Sequence, residues 1–115
     1  MTDFSRLRTG RSNGAIPTRK AAVQAISDMG PVVYALQQGD TIKIGWTSNL
    51  SQRIHSLGAW RLIGFKLDGT RAVEGEIHRS LDGHAIKGRE WYPHDDPSVV
   101  AVVNEMRAEV GLSPL

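Results

Sequence analysis

Four side chains in the middle of this 115-residue chain carry groups that could do chemistry together: the phenol of Tyr34, the ammonium of Lys43, the guanidinium of Arg53 and the carboxylate of Glu74. A phenol with its ordinary pKa near ~10 is a poor base at neutral pH, and becomes a useful one only where nearby cations hold its ionised form. Lys43 and Arg53 are the cations available to do so. A guanidinium suits a phosphate oxygen and the charge that develops on it. One carboxylate is enough for a magnesium ion that keeps most of its waters. Each group also has a plain structural use. A tyrosine in an apolar strand is a core residue with its hydroxyl at the rim. A lysine on an edge strand guards against aggregation. Arg53 would be an exposed helix arginine, and Glu74 with His78 a solvated pair one helical turn apart. Glu76 competes with Glu74 as a ligand but lies on a different helix face from His78.

The elements that position these groups are read from periodicity. Val32 to Leu36 is an apolar, partly β-branched run, Gly39-Asp40 supplies a turn, and Thr41 to Ile44 alternates polar with apolar. Together they predict a β-hairpin with Ile42 and Ile44 on one side and Thr41, Lys43 and Gly45 on the other. Gly45 would let a backbone or phosphate approach closely, or relieve the strand end. Thr47-Ser48-Asn49 offers capping oxygens for a helix whose buried stripe is Leu50, Ile54 and Leu57, with Arg53 beside it. A third strand spans 61–67. Thr70 then caps a helix with Val73, Ile77 and Leu81 inward, and residues 82–95 are a loop. Asp96-Pro97 starts a last helix with Val99, Val103, Met106 and Val110 on its buried face. Before the hairpin, residues 1–16 form a flexible arm, and a leading helix over 17–30 presents Ala22, Ala25, Ile26 and Met29 on one face. Gly30-Pro31 ends it. The fold class is α+β: a small three-stranded antiparallel sheet flanked by helices, with residues 31–112 as the domain proper.

Taken in order, these residues resemble the GIY-YIG nuclease superfamily in its compact phage and bacterial form. Val32-Val33-Tyr34 stands where the first motif would be and Lys43-Ile44-Gly45 where the second would be. Arg53 follows eight residues beyond Gly45, then come Glu74 to His78 and Arg89-Glu90-Trp91-Tyr92. Two positions depart from the pattern: the first motif lacks its glycine, and Lys43 replaces the second tyrosine. The resemblance implies a DNA endonuclease in which Tyr34 activates water and Glu74 holds one divalent metal, Mg2+ or Mn2+. Arg53 and Lys43 would neutralise the phosphate, with Gly45, His78 and Glu90 in support. It also implies a targeting protein partner or a homodimer to supply substrate choice. Two other readings stand beside it. One is a nucleic-acid-binding module of the same fold without turnover. The other is a protein-interaction domain using Trp46, Trp60 and Trp91 as contact points.

Composition narrows the classes. The chain has no cysteine, which excludes disulfides and thiolate metal sites, and its four histidines lack zinc-like spacing. No apolar run is long enough to span a membrane, and the opening residues lack a secretory apolar core, so a cytoplasmic protein is expected. The net charge of +2 is uneven. Arg6, Arg8, Arg11, Arg19 and Lys20 face only Asp3 and Asp28 in residues 1–30, which marks that leading stretch as a candidate phosphate-binding arm.

Overall fold

The computed structural model describes residue 16 and residues 20–57, 61–86, 88 and 90–115. Arg6, Arg8, Arg11, Arg19 and Trp60 lie outside the described residues, while Lys20 opens the first helix. Strands β1 (Val32–Gln38) and β2 (Thr41–Thr47) form the expected hairpin, with Val32 opposite Thr47 and Gln38 opposite Thr41. Gly39 takes a φ of 57° in the two-residue turn, which a residue without a Cβ adopts at no steric cost. Strand β3 (Arg61–Leu67) pairs antiparallel with the other side of β1, its register shifting between Ala35 and Leu36.

The sheet has four strands rather than three. Strand β4 (Trp91–Pro93) pairs antiparallel with Thr41 to Lys43, giving the order β3-β1-β2-β4. Three residues are too few to show a period, and Pro93 marks an edge position where no N–H is needed. What creates this strand is the open side of β2, whose backbone groups would otherwise lack partners.

Both faces of the sheet are covered. Val32, Tyr34 and Leu36 point toward helix α1 (Lys20–Ser27) and helix α2 (Leu50–Leu57), packing with Val23, Ile26, Leu50 and Ile54. Val33, Ala35, Ile42 and Ile44 pack on the other face with Leu81, Val99, Val103 and Met106, at the end of helix α3 (Arg71–Ser80) and along helix α4 (Pro97–Glu109). Burying each such side chain contributes about 1.5–3 kcal/mol. The predicted caps are made. Asn49 Oδ1 accepts from the Gln52 N–H at 3.1 Å, Thr70 accepts from the Val73 N–H at 3.1 Å, and Asp96 accepts from the Ser98 N–H at 2.9 Å.

The leading helix corrects the sequence reading. It buries Val23 and Ile26, while Ala25 is exposed and Met29 is 44 % exposed. The helix ends at Ser27, so Met29 falls beyond its last turn, and Ala25 has too little apolar surface to compete with Val23 for the core. Ile16, placed in the arm by the sequence, is buried and donates its N–H to the Leu62 carbonyl at the outer edge of β3. Among the described residues, no helix is long and apolar enough to cross a membrane.

Candidate active site

Strand β4 covers β2 only as far as Lys43, so the Gly45–Thr47 end of β2, paired with β1 on one side, has no strand on its outer side. The N-terminal parts of α2 and α3 flank that open end. Between them lies a cleft of about 540 Å³ lined by Tyr34, Lys43, Gly45, Arg53, Glu74 and Glu90, together with Trp46, Thr47, Ser48, Asn49, Gln52, Ser56 and Arg71. Residues from β1, β2, α2, α3 and the approach to β4 thus open onto one space. Glu76 lines a different hollow, between α3 and α4.

Tyr34 reaches the cleft because of Gly45. The two are directly opposite in the hairpin, and a Cβ on Gly45 would lie 2.5 Å from the Tyr34 hydroxyl and 2.7 Å from its Cζ. What approaches Gly45 closely in the fold is therefore the phenol ring. The ring lies across β2 and is 2 % exposed. Burial pushes the Tyr34 pKa above its ordinary value; Arg53 pulls it down, and Glu90 and Glu74 push it further up. The expected depression by two cations is overturned, because desolvation outweighs the single guanidinium. Lys43 is engaged elsewhere. Its ammonium lies 3.3 Å from a Glu90 carboxylate oxygen and 5.1 Å from the centre of the Trp91 ring. The Ile44 N–H donates to the Glu90 carbonyl, which fixes Glu90 beside β2.

Arg53 is exposed on α2, and no described residue forms an ion pair with it. Glu74 sits in the first turn of α3, where a carboxylate is favoured by the helix dipole. Its half-buried carboxylate has no hydrogen-bond or ion-pair partner among the described residues, which leaves a hard-oxygen donor turned to the cleft. Among the described residues no group of three or more His, Asp or Glu is gathered to hold a metal, so a divalent ion would rest on this one carboxylate, water and substrate.

His78 is not brought to the cleft. Its Nδ1 is hydrogen-bonded to the Tyr92 hydroxyl, the two rings stack 5.8 Å apart, and its Nε2 is buried with no partner among the described residues. Trp46 and Trp91, two of the tryptophans expected as partly exposed contact points, are half-buried. Trp46 donates its indole N–H to the Gly69 carbonyl, and Trp91 lies beneath Lys43. Sequence reasoning missed Arg71 and the polar row Ser48, Asn49, Gln52 and Ser56. The signal for Arg71 was its spacing, three residues before Glu74 on the same helix side.

The family model of the T5orf172 domain matches residues 31–109, a span that holds every residue lining this cleft. No curated protein and no solved structure gives a significant match to the chain. A hairpin that carries a phenol over a glycine, an arginine from one helix and a carboxylate from another all fall inside that match, and the chain belongs to the T5orf172 domain family, found in phage and bacterial nuclease-like proteins.

Proposed function

We propose that the chain is a GIY-YIG-like endonuclease that hydrolyses phosphodiester bonds in DNA at the cleft beside β2. The observation that carries this reading is the convergence of Tyr34, Arg53 and Glu74 on one cleft from three separate elements. Arg53 grips a phosphate oxygen and stabilises the charge that builds on it in the transition state. Tyr34, held in place by the gap at Gly45, orients the attacking water and accepts its proton when the phenol is ionised. Because burial raises the Tyr34 pKa, the ionised fraction in the free protein is small at neutral pH and grows about tenfold per pH unit below that pKa. Glu74 would hold one Mg2+ or Mn2+, and a bound ion supplies Lewis-acid polarisation of the phosphate. Glu90 pairs with the Lys43 ammonium at the cleft wall and orients it there. A targeting partner or a second copy of the chain would supply sequence choice.

The test is nicking of supercoiled plasmid by the full chain in magnesium, followed across pH. Nicking should rise with pH up to about 9, while the Tyr34 phenol is still below its raised pKa. Tyr34→Phe and Glu74→Ala should abolish it, with DNA binding by Glu74→Ala preserved because a negative charge near phosphate has been removed. Arg53→Ala should weaken both binding and cleavage, whereas Glu76→Ala, altered outside the cleft, should nick normally. A second reading, a DNA-binding module without turnover, is favoured by the raised Tyr34 pKa and the Lys43–Glu90 pairing. Wild-type protein that binds DNA yet never nicks it, in magnesium or manganese, would decide for that reading.

A further inference from the structure

We propose that Arg71, laid on the ring of Trp46, is a second phosphate-binding position of the cleft. It would take a backbone phosphate of the same strand whose scissile phosphate meets Arg53, so the inference rests on the phosphodiester reading above. Arg71 is the first residue of α3 and lines the cleft. Its guanidinium carbon lies 4.7 Å from the centre of the Trp46 ring, within cation–π range. No described residue forms an ion pair with it. A cation over an indole face is held by the ring's quadrupole and not through its N–H donors. The contact therefore places the group without using the donors that would grip an anion.

The turn between β3 and α3 builds this arrangement. Asp68 takes a φ of 54°, in the left-handed region. Gly69 passes so near the start of β1 that a Cβ there would lie 2.4 Å from the Val33 nitrogen, so only glycine fits. Its N–H donates to the Pro31 carbonyl at 3.1 Å, and its own carbonyl accepts the Trp46 indole N–H at 2.9 Å. Thr70 then caps the helix, and the next residue is Arg71. One turn thus clamps the indole and delivers the arginine over it. The cleft holds guanidinium groups from two helices, Arg53 of α2 and Arg71 of α3. A single phosphoester needs one such position, whereas a polynucleotide strand presents phosphates in series. Two positions select the strand.

The test is fluorescence anisotropy of a duplex oligonucleotide titrated with the full chain, without metal, at salt concentrations from about 50 to about 200 mM. Arg71→Ala should weaken binding severalfold and reduce the slope of log K against log salt by about 0.9, the loss of one phosphate contact. Arg71→Lys should keep the slope but lose affinity, because an ammonium is a point charge without the planar donor fork that matches a phosphate. Arg79→Ala removes the same charge from the same helix outside the cleft and should leave the slope unchanged. An Arg71→Ala slope equal to wild type, or an equal drop in Arg71→Ala and Arg79→Ala, would overturn the inference. Wild-type protein that binds but does not nick, with the Arg71 slope change intact, sinks hydrolysis and leaves the second position standing. Wild-type protein that binds no DNA overturns both.

Discussion

The pairing of Tyr34 with Gly45 is where a single residue decides the site. Gly45 has an ordinary strand backbone, so the demand on it is space and not conformational freedom. A methyl group there would meet the Tyr34 hydroxyl at 2.5 Å and force the ring out of its place across β2. Gly45→Ala should therefore destabilise the fold by about 1–3 kcal/mol, the usual cost of overpacking, and abolish nicking by moving the phenol. The double variant Gly45→Ala with Tyr34→Phe removes the hydroxyl but keeps the contact with Cζ at 2.7 Å, so it should recover only part of that loss. Urea denaturation of the four proteins measures the coupling, and strictly additive changes would show that the two side chains do not meet.

At the scale of elements, α3 matters most, because it carries both Arg71 and Glu74 into the cleft. Its apolar side is thin. None of its residues is fully buried, with Val73 and Ile77 only packed against the core beneath. A helix of ten residues with so little burial depends on its cap. Thr70→Ala removes the acceptor for the Val73 N–H and should cost about 1 kcal/mol. Fraying of the first turn displaces the residues that face the cleft, so DNA affinity and nicking should fall at temperatures where the circular dichroism of the whole domain is still native. Loss of activity only in step with global unfolding would show that the cap serves stability alone.

Across the whole molecule, the two tyrosines tie the fold to pH at the alkaline end. Burial raises the pKa of Tyr34, and it pushes Tyr92 up to about 12. In each case the folded state holds its proton more tightly than the unfolded chain, whose phenols titrate near ~10. Their contribution to stability is therefore complete below about pH 10 and is lost as pH rises through each raised pKa, about 12 for Tyr92. Denaturation midpoints should fall steeply over that window. Tyr92→Phe should flatten the fall while lowering stability at neutral pH, since it also takes away the hydrogen bond to His78. A slope unchanged in Tyr92→Phe would place the alkaline sensitivity elsewhere.

Much of this molecule is written locally. The hairpin follows from an apolar run, a Gly-Asp turn and an alternation. The α2 and α4 faces follow from helical spacing, and the helix starts from Thr70 and Asp96. Side-chain direction repeats at fixed periods, which separates buried from outward positions within each element. That Tyr34, Arg53 and Glu74 share one cleft follows only from how the elements pack. Other features arise only when distant segments meet. Strand β4 exists because β2 offers an open edge. Glu90 takes the Lys43 ammonium from 47 residues away, and Gly69 clamps Trp46 from 23 away. The buried guanidinium of Arg107 ties the Ile63 and Ser113 carbonyls together. The direction of the Tyr34 pKa shift belongs here too. A sequence displays the charges near a phenol, but desolvation depends on how completely several packed elements exclude water, and that is settled only in three dimensions.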